Sequence, residues 1–206
     1  MRIIRNSIML LIGLVSSISM FAQLPVSLGV KAGMNLSEIQ KIDDNVKVGF
    51  NIGLTAELAL PSNFYLMSGL EFTTKGAKSK EINVVSPAGS NPIKSKITYN
   101  AMYLQLPIHA GYKLDLVPGT KLIFRAGPYL AYGVGGKIKW GVEGIEDQDI
   151  FSDDSNRFDF GIGGAVGVEF LNKISVSLGA DQGLTKIFKD TSTKNRCAHI
   201  SVGYKF

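Results

Sequence analysis

The chain has 206 residues, with 22 Lys+Arg against 17 Asp+Glu and a formal charge of +5. Without Arg2 and Arg5 of the N-terminal segment the balance is 20 against 17, an excess of +3 too small and too dispersed to recruit nucleic acid. Hydrophobic residues make up 45% and mean hydropathy is +0.15, yet no apolar run after residue 23 approaches the ~20 residues of a membrane-spanning helix. A β-barrel stays open, because its apolar residues are interleaved with polar ones.

Residues 1–22 read as a secretory signal. Arg2 and Arg5 form the positive start, Ile8 to Ile18 a short apolar stretch, and Met20-Phe21-Ala22 leads into Gln23. Cleavage is expected between Ala22 and Gln23, with Ser19 as a second position because Met20 is large for the −3 site. The apolar stretch is too short to anchor, and no cysteine follows to carry a lipid. Residues 23–206 are the expected mature domain.

From Val26 the side chains alternate with a period of two, the signature of strands with one apolar face. Val26, Leu28, Val30, Ala32 and Met34 share the first such face, and residues 35–46 follow as a polar loop. Val48 to Leu60 gives a second strand, Pro61-Ser62-Asn63 a tight turn, and Phe64 to Thr73 a third strand. A long loop runs from about Ser79 to Ile97. Met102 to Lys113 is the fourth strand, Pro118-Gly119 a turn, and Leu122 to Val134 the fifth, in which Pro128 removes a ladder donor and predicts a local bulge. After a loop over about Gly141 to Asn156 comes the sixth strand, Arg157 to Phe170, and a turn at Leu171-Asn172-Lys173. Ile174 to Asp181 is the seventh strand. A polar loop to about Arg196 precedes the last one, in which Ala198, Ile200, Val202, Tyr204 and Phe206 oppose His199, Ser201, Gly203 and Lys205.

The connections run long, short, long, short, long, short, long. That fits an all-β, eight-stranded antiparallel up-and-down transmembrane barrel with periplasmic turns and external loops, similar to OmpA/OmpX-type barrels. Phe64, Tyr112, Phe124, Phe170 and Phe206 cluster near the turn ends. Phe50, Phe72, Tyr132, Phe158 and Phe160 cluster near the loop ends, so two aromatic girdles are predicted. The opposite face carries Lys31, Lys47, Glu57, Glu71, Lys113, Arg125, Asp159, Glu169, Asp181 and Lys205. Eight strands enclose only enough space for side chains, so these charges are expected to pair inside and no water-filled pore is expected.

The run Leu28-Gly-Val-Lys-Ala-Gly-Met-Asn-Leu-Ser37 follows Phe21-Ala22-Gln23, and Tyr103-Leu-Gln-Leu-Pro107 opens the second half. Together they resemble the "G-x-x-x-G-x-N-x-S" and "Y-L-x-[IL]-P" segments of the PorT-like outer-membrane β-barrel proteins of Bacteroidota, over about residues 24–206. The resemblance implies outer-membrane localisation, and its motifs are structural and carry no catalytic residue to transfer; the best-known member of the family assists protein secretion.

No enzymatic motif stands up. His109 and His199 fall on the lumen face of opposite walls, neither with a serine and carboxylate arranged as a triad. Asp159-Phe160-Gly161 lacks the companion loops of a kinase, and Gly161-Ile162-Gly163-Gly164 lies within a strand, away from any strand-to-helix turn. Cys197 is alone and reads as an isolated strand residue. Glu143, Glu146, Asp147, Asp149, Asp153 and Asp154 crowd the loop over 143–154. EF-hand spacing and its turn glycine are missing there, which favours a solvated acidic loop over a calcium site. Lys80, Lys94, Lys96, Lys186, Lys189, Lys194 and Arg196 make two other loops basic and suited to lipopolysaccharide phosphates.

The reading is a non-enzymatic surface barrel in the bacterial outer membrane, with an accessory role in secretion or envelope assembly as the alternative. A lipid-modifying enzyme would need polar residues at the lipid-facing rim, and a soluble lipocalin-like barrel would put its apolar face inward. The expected partners are outer-membrane lipid, lipopolysaccharide and envelope or secretion proteins, with no cofactor, no metal, no nucleic acid and a monomeric state.

Overall fold

A computed structural model of the chain describes residues 26–39, 44–79, 82–84, 93–140, 146–151, 155–187 and 193–206. The expected leader and its Ala22–Gln23 cleavage point lie outside them. Eight long strands are present: β1 (Val26–Ile39), β2 (Lys47–Ala59), β3 (Phe64–Ser79), β4 (Thr98–Val117), β5 (Thr120–Lys139), β6 (Phe158–Phe170), β7 (Ile174–Gly183) and β8 (Asn195–Lys205). Each pairs antiparallel with the next, and β8 returns to β1 through pairs such as Ala32↔Val202. The sheet is therefore closed, with no free edge along its length.

The three short connections owe their tightness to left-handed backbone. Ser62 (φ 59°) with Asn63 (φ 65°), and Leu171 (φ 53°) with Asn172 (φ 55°), supply the two left-handed positions of a two-residue hairpin turn. Between β4 and β5, Pro118 is followed by Gly119 at φ 79°, the combination a type II turn requires.

The predicted inside and outside faces hold. Leu54, Ile162, Leu178 and Val202 stand more than half exposed on the outer wall, while Lys31, Glu71, Asp159 and Glu169 are buried within. An apolar surface encircling the molecule is far larger than water tolerates and calls for lipid. Both girdles form. Phe72 pairs in register with Leu104, Leu104 with Tyr132, and Tyr132 with Phe158 near the loop end; Phe64, Tyr112 and Phe124 line up near the turn end.

Two expectations are corrected. β1 runs to Ile39, into residues 35–46 read as loop, and β3 runs to Ser79, past its expected end at Thr73 and up to the start of the expected loop. The bulge predicted at Pro128 lies elsewhere: Pro107↔Tyr129 and Ala110↔Ala126 share one register, and the two shifts fall where Met102 pairs with Gly135 but Tyr103 with Gly133, leaving Val134 extra, and beside the turn, where Asp115 pairs with Lys121 but Val117 with Thr120. A proline costs a donor but does not require an additional residue, so the ladder passes it unshifted. Among the described loop residues, Asp44–Asn45 extends the wall beside β3, Ile82–Val84 pairs with Ile93–Ser95, and Gln148–Asp149 pairs with the end of β5.

Candidate functional site

The lumen is built in three levels. At the turn end, Glu57 (β2), Lys113 (β4), Glu169 (β6) and Lys205 (β8) come from alternate strands and form a ring of alternating sign. Lys113 Nζ pairs with Glu57 and lies 3.0 Å from Glu169 Oε2; Lys205 Nζ lies 3.2 Å from Glu57 Oε1 and 2.7 Å from Glu169 Oε2. Each carboxylate thus holds two ammonium groups, the arrangement that offsets the cost of taking four charges out of water. Lys113 also sits 4.9 Å above the Tyr65 ring.

At mid-height, Lys31 reaches Glu71 at 2.7 Å, Gln105 Nε2 donates to Asp181 Oδ2 at 3.0 Å, and Arg125 Nη2 donates to Ser177 Oγ at 3.2 Å. Asn35 binds β1 to its neighbours. Its Nδ2 donates to Phe50 O (3.0 Å), Thr73 Oγ1 (2.8 Å) and Thr74 O (3.0 Å), and its Oδ1 accepts from Asn51 Nδ2 (2.6 Å). The run Gly29, Gly33, Asn35, Ser37 consists of odd positions, so all four face inward. A Cβ at Gly33 would collide with Ile200 O and Ser201 Oγ. Asn35 and Ser37 of this run stitch strands together across the lumen. His109 and His199 also face inward, and among the described residues neither is joined to a serine and a carboxylate. Among the described residues, no three His, Cys, Asp or Glu side chains come together to hold a metal.

At the loop end the closure is apolar. Ile150 and Phe151 fold back from the third long loop onto Ala101, Tyr103, Tyr129 and Ala131. The Phe151 ring meets Tyr103 edge-on at 5.5 Å and 84°. Two glycines make the seat: a Cβ at Gly133 would strike the Phe151 ring, and one at Gly136 would strike Ile150. Arg157 fastens the plug, donating to Gly133 O and Phe151 O at 3.2 Å each while lying 5.3 Å over the Phe151 ring. The fourth loop joins the cap: Ile187 packs on Ile39 and Ala77, Asn156 N donates to Ile187 O (2.8 Å), and Asn156 Nδ2 donates to Lys186 O (2.8 Å).

Beneath the plug lies Lys75, 1% exposed, with Nζ 3.6 Å from Asp159 Oδ2 and 4.3 Å from the Tyr129 ring centre. Asp159 Oδ2 also accepts from Tyr129 OH (3.2 Å) and Asn195 Nδ2 (3.0 Å), and its Oδ1 accepts from Thr185 Oγ1 (2.8 Å). One carboxylate therefore couples β3, β5, β8 and the fourth loop.

Of the loop residues singled out in the sequence, Glu146, Asp147 and Asp149 are solvent-exposed, and Asp147 lies 3.9 Å from Lys139; Glu143, Asp153 and Asp154 fall outside the described residues. Lys96 and Lys186 are exposed, Lys194 is half-buried, and Arg196 bridges Glu38 (3.1 Å) and Gln182 (3.1 Å) on the outer wall. Lys80 and Lys189 fall outside the described residues. Lys75, Ile150, Phe151, Arg157 and Ile187 were not anticipated. The one available signal was the pair Ile150-Phe151, adjacent apolar residues inside an otherwise acidic loop.

Among solved structures, the chain is similar to the neisserial surface protein A, NspA (14% identity, 88% of this chain and 97% of that one, TM-score 0.47). It is also similar to Ail of Yersinia pestis (13%, 89% and 100%, TM-score 0.46) and to the N-terminal barrel of Pseudomonas aeruginosa OprF (12%, 86% and 97%, TM-score 0.35). No curated protein matches it. Residues 21–189 match the family model described as outer membrane protein beta-barrel domain. With a closed eight-stranded sheet, an apolar outer wall and a charged interior, the chain belongs to that family of outer-membrane β-barrel proteins.

Proposed function

We propose that this is a non-enzymatic, monomeric surface protein, exported by a leader cleaved after Ala22, whose working part is its external loops. The observation that carries the reading is the interior itself: an ion ring at one end, a keyed apolar plug at the other and interlocked polar side chains between them. Such a lumen conducts nothing, and binding on rigid scaffolds concentrates in loops. Exposed Lys96 and Lys186 support lipopolysaccharide phosphates as one ligand.

Charge reversal of Lys96 and Lys186 together should reduce lipopolysaccharide co-purification. Unchanged retention would remove that partner. A second reading is an accessory role in secretion or envelope assembly, favoured by the PorT-like motifs at Gly29–Ser37 and Tyr103–Pro107. A deletion strain decides between them: lost secreted cargo supports the accessory role, and normal secretion with altered surface binding supports the first.

A further inference from the structure

Most of the lumen's charges are matched, and one mismatch coincides with a cavity. Among the described residues, the inward cations are Lys31, Lys47, Lys75, Lys113, Arg125 and Lys205, and the inward carboxylates are Glu57, Glu71, Asp159, Glu169 and Asp181. Six against five leaves one positive charge over. In the ring and at mid-height, Lys31, Lys113 and Lys205 each have a carboxylate within 3.0 Å. Arg125 has none among the described residues; its one hydrogen bond there goes to the Ser177 hydroxyl, although a guanidinium carries five N–H donors. Lys47 also has no carboxylate partner among the described residues, but it sits at the opposite end of the lumen. Asp181, bound to Gln105, does not line the cavity.

The cavity beside Arg125 measures about 40 Å³, and Lys31, Thr55, Ser175 and Ser177 also border it. Two of these bring an ammonium or hydroxyl that is more than nine-tenths buried: Lys31 (8% exposed) and Ser177 (4%). Glu57 and Glu169 also border it, but each is already engaged by two ammonium groups of the ring. The space suits a monoatomic ion with a water or two, and no larger oxyanion with its shell.

We infer that the cavity at Arg125 is a binding site for a small inorganic anion of the halide class, which gives Arg125 the counter-charge that no carboxylate lining the cavity is free to supply. The physical reason is that Arg125 is half-buried without a carboxylate partner, and an anion held beside it in a confined space is attracted more strongly than in bulk water. The hydroxyls and N–H groups that border the cavity can then act as an anion's solvation shell. The ion is structural: it sits beside Arg125 above the ring and does not travel.

The test uses the folded full mature chain in detergent. Crystals soaked in bromide should show anomalous density in the cavity within hydrogen-bonding reach of Arg125. In solution, bromide or chloride should raise Tm by roughly 2–4 °C over gluconate at equal ionic strength, since gluconate is too large to enter. Arg125→Met should abolish that difference, and Arg196→Met, on the outer wall, should keep it. Should Arg125→Met fail to fold, the bromide map on the unaltered protein still decides. Density confined to exposed lysines, or a cavity holding only water, would overturn the assignment.

Discussion

The two ends of the lumen are closed by opposite means. At the turn end four charges from four alternate strands neutralise one another, their side chains still reached by some solvent, between 3% and 17% exposed. At the loop end Ile150 and Phe151 are keyed into glycine notches above a single ion pair, Lys75–Asp159, whose side chains are 1% and 5% exposed. The ring exploits charge where water softens desolvation. The plug covers one charge pair, in which tyrosine, asparagine and threonine bond the Asp159 carboxylate and the Tyr103 and Tyr129 rings face the Lys75 ammonium. Each closure suits its setting: short turns leave no chain to fold inward, whereas a long loop can donate its own apolar residues.

That contrast ranks the consequences of substitution. Asp159→Ala strips the partner from a buried ammonium and should cost the most, about 3–5 kcal/mol, read from unfolding in urea with the protein in detergent. Phe151→Ala removes the plug's ring and should cost about 3 kcal/mol. It should also release the third loop to proteases while the barrel stays resistant, and an unchanged cleavage pattern would detach Phe151 from the closure. Glu57→Gln leaves Lys113 and Lys205 sharing Glu169. A loss of about 2 kcal/mol is expected, smaller because the ring is partly wet. Arg196→Ala breaks an exposed pair with Glu38 and should cost under about 1 kcal/mol.

The same contrast explains what the sequence disclosed. Within the membrane the outward residues are apolar and the inward ones polar, so alternation exposes strand, face and girdle together, and all ten inward charges read from it face the lumen. Past the membrane the pattern inverts. On β3, Thr74, Gly76 and Lys78 alternate with inward Lys75 and Ala77, so a search for an apolar outer face stops at Thr73 and misses the most buried cation. Ile150 and Phe151 carry no period at all; their burial is set by Gly133 and Gly136, which precede them by more than ten residues on a different element. The ring's membership was visible as charged residues, but which charge meets which depends on the stagger of four strands.

The most direct test of a lumen closed at both ends is single-channel recording of the refolded protein in a planar bilayer. The unaltered protein should show no conductance steps at either polarity. The double variant Phe151→Ala/Glu57→Gln, which weakens both closures, should be the first to show brief openings. Stable conductance from the unaltered protein would contradict the closed lumen and move the search for function from the loops to the pore.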